Sequence, residues 1–185
     1  MSENDTYYVE RCLDGHPDDF RYLVRRYQAP LLANLAGKLG DKDRAEEAAQ
    51  ETLVRAYFNI GKLKKPDSFF SWLLGIADLV AKEHHRKDQL QRQRQIVRSF
   101  SQESPPTELS QDYALETAIA GLPEAYRKII LLRYYGGHSC NQIAEQLDMP
   151  LGTVTKTLSR AYAMLRDALR QHERAEACPR EGGGL

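Results

Sequence analysis

Across residues 18–39 apolar side chains return every three or four positions: Phe20, Leu23, Val24, Tyr27, Leu31, Leu32, Leu35 and Leu39. That spacing predicts a helix with one buried face. Pro30 falls inside the pattern and should kink the helix or split it in two, and Gly40 closes the segment. Residues 41–58 open with acids, which favour a helix N-terminus. Ala45, Ala48, Ala49, Thr52, Leu53 and Tyr57 supply an inner side, while Glu46, Glu47, Gln50 and Glu51 form an acidic band outside it. The stretch NIGKLKKPD at 59–67 reads as a loop punctuated by Gly61 and Pro66, and three lysines crowd it. Residues 68–86 return to helical spacing, with Phe69, Trp72, Leu73, Ile76, Ala77 and Val80 facing inward. Trp72 lies on that stripe and reads as core. These elements make a first helical unit over residues 5–88.

Residues 89–112 shift in composition. QLQRQRQIVRSF could prolong the preceding helix, but SQESPPTELSQD lacks apolar periodicity and its Pro105-Pro106 pair stops any helix. A flexible linker over 89–112 is the expectation. A second unit, 113–173, then begins with a short helix at 113–121 and another at 122–135, ended by Gly136-Gly137. Ser139 is placed to cap the next helix, with Gln142 three residues on to complete a capping box. Ile143, Ala144 and Leu147 give that helix one apolar face. Asp148-Met149-Pro150 breaks it, because a residue before proline is pushed out of the α region. Pro150 suits the first turn of a new helix. There Val154, Leu158, Ala161, Leu165 and Leu169 make one stripe, and Thr155, Lys156, Ser159 and Arg160 fall off it. A short helix, a sharp turn and a longer helix with a polar, basic outer face is the helix-turn-helix pattern, although an αα-hairpin facing water shares its periodicity. The tail over 174–185 gains glycine and should fray.

Composition narrows the class. The chain has 185 residues, 42% hydrophobic and 28% charged, which suits one domain or two small ones, largely helical. No apolar run approaches the roughly 20 residues of a membrane-spanning helix, so no membrane insertion is expected. MSENDTYYVER is polar and acidic, unlike a signal peptide. Cys12, Cys140 and Cys178 are odd in number and widely spaced, which points to a reducing cytoplasm rather than a disulfide framework. Formal net charge is +0, less basic than a protein that binds DNA alone. Charge distribution matters more than the sum when a surface must also suit a protein partner.

No catalytic arrangement stands out, and the chain reads as a non-enzyme without a cofactor. His138 and Cys140 are too close in sequence to signal a base and nucleophile, and Cys140 reads as a small packed residue. His84 and His85 are adjacent, point to different sides of a helix and cannot converge on one metal. A place near phosphates suits them better.

Several words of the sequence resemble those of bacterial sigma factors, specifically the small extracytoplasmic-function (ECF) group of the sigma-70 family. In the second unit they are Leu122-Pro123-Glu124, the IILLRYY run at 129–135, Ile143-Ala144-Glu145, Gly152-Thr153-Val154 and Leu158-Ser159-Arg160-Ala161. In the first they are AEEAAQETLVRAY at 45–57 and the F-xx-WL-xx-IA frame from Phe69 to Ala77. Together they cover about 16–87 and 113–170. The resemblance implies an all-α protein of two small helical domains, one like sigma region 2 and one like region 4, whose partners are core RNA polymerase and promoter DNA. A separate anti-sigma chain is a further partner that the family admits. By resemblance, Glu47, Gln50 and Glu51 contact polymerase, and Lys62, Lys64, Lys65, Arg86 and Lys87 track the phosphates of the melted minus-ten strand. Thr155, Lys156 and Ser159 become candidates to read bases of the minus-thirty-five element, with Thr153 and Arg160 on phosphates.

The chain departs from the family pattern in places. Leu53 stands where Phe is usual, Leu79 and Glu83 where Asn and Asp are common, and Thr155-Lys156-Thr157 follows the GTV word at positions expected to be exposed. Two other functions share parts of the pattern: a stand-alone helix-turn-helix regulator, and a sigma-like interaction protein that opens no promoter.

Overall fold

The computed structural model describes residues 5–94 and 111–177, and every regular element among them is helical. Helix α1 (Asp5–Leu13) leads through a 3-10 turn at Pro17–Asp19 into α2 (Phe20–Leu39). Pro30 does not split α2, which runs unbroken through it with Pro30 buried against the core. Gly40 ends it at φ 70°, a left-handed conformation that favours glycine, and its N–H bonds the Ala36 carbonyl. Asp41 caps α3 (Lys42–Asn59) by accepting from the Arg44 N–H at 2.9 Å, so the acidic opening is a true N-cap.

Helix α4 (Phe69–Arg94) extends well past the expected boundary at 88. Nothing in QLQRQR stops a helix, and glutamine and arginine are good formers. The rest of the expected linker, 95–110, lies outside the described residues. Helices α3 and α4 run antiparallel, which puts Arg44 against Asp88, Glu51 beside His84 and Arg55 beside Glu83. Leu23, Tyr27, Leu31 and Leu35 of α2, Ala45, Ala48 and Ala56 of α3, and Phe69, Phe70, Leu73, Ala77 and Val80 of α4 are buried together. Full burial of each Leu or Phe contributes roughly 1.5–3 kcal/mol, so these three helices hold one another. Among the predicted inner stripes Tyr57 is exposed, edge-on to Phe20, and Trp72, like Val24, Leu32, Leu53 and Ile76, is only half-buried, tilted against Phe69. A buried polar knot joins α1 to α2. Asp5 accepts from Arg26 at 2.7 Å and from the Tyr27 hydroxyl, whose own ionisation is pushed upward by burial and by that carboxylate.

The second group is α5 (Gln111–Ala120), α6 (Glu124–Tyr134), α7 (Cys140–Gln146) and α8 (Leu151–Ala177). Its core is Ile119, Leu122, Ile129–Leu132, Ile143, Val154, Leu158, Ala161 and Leu165, so α6 packs beneath α7 and α8. Cys140 is half-buried against this core, a packed residue as expected. Helix α8 continues through Ala177, past the predicted tail boundary at 174, because RAEA is also a strong helix former. Residues 178–185 lie outside the described residues. The two groups touch: α2 lies along α5 and α6, and Phe70 meets Tyr135 at 6.1 Å between ring centroids.

Candidate nucleic-acid interface

The exposed end of α8 is built from its surroundings. Ser139 caps α7 by accepting from the Gln142 N–H at 3.2 Å, while Gln142 Oε1 accepts from the Ser139 N–H at 2.7 Å. This is the capping box the sequence announced. Helix α7 lasts only two turns. Leu147 ends it, and Asp148 takes φ 51°, a left-handed value that a short polar side chain tolerates. The chain thereby reverses within four residues, and Pro150 opens α8 by accepting from the N–H groups of Thr153 and Val154. Ile143 on α7 and Val154, Leu158 and Ala161 on α8 are buried in the same core, which fixes the angle between the two helices.

What this leaves outward is Thr153, Thr155, Lys156, Ser159 and Arg160, all exposed. Thr155 and Ser159 are four apart, Lys156 and Ser159 three, so they share one face within two turns of the helix start. Lys156, Ser159 and Arg160 form no hydrogen bond or ion pair among the described residues. Thr155 is different: its hydroxyl donates to the Gly152 carbonyl at 3.1 Å, which spends its hydrogen and leaves its lone pairs outward. Thr157 corrects the sequence reading. It is 9% exposed and faces the core, so it cannot take part in a surface contact.

The first group carries the other candidates. Glu47 and Gln50 are exposed on α3, three residues apart and therefore side by side. Glu51, four residues after Glu47, is only half-exposed and already engaged. It accepts from Arg55 at 2.5 Å and faces His84 Nε2 at 3.2 Å, and Arg55 also donates to Glu83 at 2.5 and 3.1 Å. Burial would raise the Glu51 carboxyl, but the hydrogen bonds from His84 and Arg55 outweigh it and hold the carboxyl below its usual range. Arg55 lowers Glu83 likewise, and the two carboxylates raise the guanidinium in turn. His84 is buried in this cluster rather than near phosphates, while His85 is exposed. Neither the cluster nor His84 was legible in advance, because only the antiparallel pairing of α3 and α4 brings positions 51, 55, 83 and 84 together.

Lys62, Lys64, Lys65, Arg86 and Lys87 are all exposed. They do not form one patch. The three lysines lie between α3 and α4, whereas Arg86 is seventeen residues along α4 from Phe69, about 25 Å at ~1.5 Å per residue. Beside the lysines, Phe58 at the end of α3 is 77% exposed. Among the described residues no group of three or more His, Cys, Asp or Glu side chains could hold a metal, and no helix is long and apolar enough to cross a membrane.

Comparison with known proteins adds to this geometry. Residues 23–91 match the family model for Sigma-70 region 2, and residues 112–165 that for Sigma-70, region 4. The chain is 30% identical over 182 residues to the RNA polymerase sigma-H factor of Pseudomonas aeruginosa, an alignment spanning 90% of this chain and 94% of that protein. It is 29% identical to the ECF RNA polymerase sigma factor SigW of Bacillus subtilis, across 88% and 95% of the two chains. Among solved structures it shares its fold, at 21% identity and a TM-score of 0.53, with the sigma factor RpoE in complex with the anti-sigma factor NepR from Bartonella quintana. That match covers 82% of this chain and 97% of that one. CnrH in complex with the cytosolic domain of CnrY matches with the same score and identity, over 91% and 99%. The region 2 match removes the stand-alone regulator, since such a protein has no use for a polymerase-gripping unit. The chain belongs to the extracytoplasmic-function group of the sigma-70 family, non-enzymatic RNA polymerase sigma factors that direct transcription initiation.

Proposed function

We propose that this sigma factor divides its work between its two helical groups. Residues 5–88 grip core RNA polymerase and take the melted minus-ten strand, and residues 113–173 read the minus-thirty-five element in the major groove. The observation that carries the second half is the exposed end of α8, where Thr155, Lys156 and Ser159 share one face held outward by a buried stripe. Major-groove edges distinguish all four base pairs, and a lysine there suits the acceptors of guanine. Thr155, with its hydrogen spent on Gly152, is set to accept from a base amino group rather than to donate. Thr153 and Arg160 flank this face and are assigned to phosphates.

For the first group, Glu47 and Gln50 are the direct polymerase contacts, and Glu51 supports them by holding α3 to α4. Lys62, Lys64 and Lys65 attract the melted strand at the loop. Arg86 and Lys87, about 25 Å away, meet phosphates farther along the promoter. The protein works in the cytoplasm, where its partners are, and a separate anti-sigma chain is a fitting regulator, as the two solved relatives with bound partners suggest by analogy.

The experiment combines the purified chain with core polymerase and genomic promoter fragments and measures initiation. Promoter-specific transcripts are the expected result. Polymerase binding with no transcript would instead make the chain a sigma-like interaction protein.

A further inference from the structure

Helix α6 begins without a side-chain cap. Pro123 holds the N-cap position, so the first N–H groups of the helix, at Glu124 and Ala125, lack an intrahelical acceptor. Pro123 and Glu124 line a cavity of about 470 Å³ between α2, α4 and α6, which the positive end of the helix dipole therefore faces. That volume lies within the ~300–1,000 Å³ of small-molecule sites. Three cations line it: Lys38 of α2, Lys82 of α4 and Arg127 of α6. His85 lies one turn from Lys82 on the same face. Two carboxylates, Asp78 and Glu124, are there as well, and Lys38 engages both. Lys128 brings a fourth cation, 3.6 Å from Asp78. Lys82 is exposed and has no hydrogen bond or ion pair among the described residues.

Arg127 sets this cavity apart. It is 2% exposed. Its Nη1 donates to the carbonyls of Ala120 at 2.8 Å and Leu122 at 3.0 Å, which closes the end of α5. Its Nε is buried and has no partner among the described residues. No carboxylate among them is bonded to it either. Burial accordingly pushes the guanidinium ionisation downward, and Glu124 opposes this only through space. Gly37 makes room for the group, since a Cβ there would overlap the guanidinium. A water molecule would satisfy the N–H but not the charge, and a buried cation without a counterion is costly.

We propose that this cavity is a binding site for a phosphate group, free or carried on a small metabolite. Its oxygens accept from the Glu124 and Ala125 N–H groups, as anions do at helix N-termini, and from Lys82 and the Arg127 guanidinium. The carboxylates suit phosphate as well, because a P–OH donates to them where an anion without a proton is repelled. Ala81 and Leu122 give the wall an apolar portion that an organic moiety would cover. The site does not depend on the sigma-factor reading.

Calorimetric titration of the full chain with inorganic phosphate and, separately, with adenosine monophosphate tests it, at an ionic strength held constant with chloride. One phosphate per chain should bind, with a dissociation constant of about 1 mM or tighter. The Glu124 and Ala125 amide resonances should move in step with the titration. Lys82→Glu should weaken binding about tenfold or more, because it puts a carboxylate where a cation faced the anion. Arg174→Glu, the same charge change at an exposed position near the end of α8, should weaken it less than about twofold, since distant charges are screened. Arg127→Met, checked for retained helical circular dichroism, should abolish binding; where it does not fold, the Lys82→Glu comparison decides. Adenosine monophosphate binding several-fold tighter than phosphate assigns the group to a metabolite, and equal or weaker binding assigns it to free phosphate; either upholds the site. No saturable binding of either probe by ~10 mM, equal weakening by Lys82→Glu and Arg174→Glu, or a folded Arg127→Met that binds like wild type would overturn it.

Discussion

Lys156→Ala is the most direct test of the recognition face. Lys156 is exposed in the second turn of α8 and has no hydrogen bond or ion pair among the described residues. Its removal should therefore leave folding within about 0.5 kcal/mol. If its ammonium meets guanine, the loss in promoter binding is roughly 1–3 kcal/mol, or about 5- to 150-fold at ~1.4 kcal/mol per decade. The neighbours limit how much of this can be recovered: Ser159, three residues on, is too short to reach the same base edge, and Thr155 has its hydrogen engaged with Gly152. The assay is competitive binding of the polymerase-bound chain to a promoter and to derivatives substituted one base pair at a time in the minus-thirty-five element. Discrimination should vanish at one base pair and persist at the others. A uniform loss on every sequence, with a salt slope shallower by about one, would make Lys156 a phosphate contact. No loss at all would refute the placement of this face on DNA.

Other outcomes follow from the packing. Ile143→Ala empties a fully buried position between α7 and α8 and should cost about 2–5 kcal/mol, read as an earlier thermal transition of the second group; a loss under ~1 kcal/mol would contradict its core role. Ser139→Ala removes the capping box and should cost about 1 kcal/mol in chemical denaturation, and no change would mean that α7 is held by packing alone. Arg55→Met should bring the Glu83 carboxyl back toward ordinary ionisation and relax Glu51 part of the way, since the His84 hydrogen bond to Glu51 remains. Because both are lowered in the folded chain, their contribution is present above about pH 4.3 and fades as pH falls below it. Wild type should accordingly exceed the variant in stability at neutral pH and converge with it in acid, and a gap that persists unchanged at pH 2–3 would refute the ion-pair account.

The helix-turn-helix was legible because each of its joints has a local cause: Ser139 and Gln142 for the start, Pro150 for the turn, and the 154–158–161–165 stripe for the buried side. Element ends were less legible. Helices α4 and α8 run to Arg94 and Ala177 because polar helix formers carry no stop signal and no apolar pattern either. The inward turn of Thr157 was hidden because it sits beside Leu158 on the edge of the stripe, and period alone does not fix the width of a buried face. Among site residues, Glu47, Gln50 and the α8 face kept the exposure expected of them. Glu51 did not, since His84 reaches it from a helix more than thirty residues away while Arg55 engages it from its own helix. The division of the five candidate minus-ten cations into two groups follows from helix rise, a length that composition does not convey.

The knot at Asp5 reaches farther than its position suggests. Tyr27 donates to Asp5, and its hydroxyl also lies 3.4 Å from the carbonyl oxygen of Tyr135, at the foot of the helix-turn-helix. One phenol thus ties the first helix, the second helix and the far half of the protein at a single point. Trimming α1 for expression, or fusing a bulky tag close against it, would therefore disturb behaviour at the opposite end of the molecule.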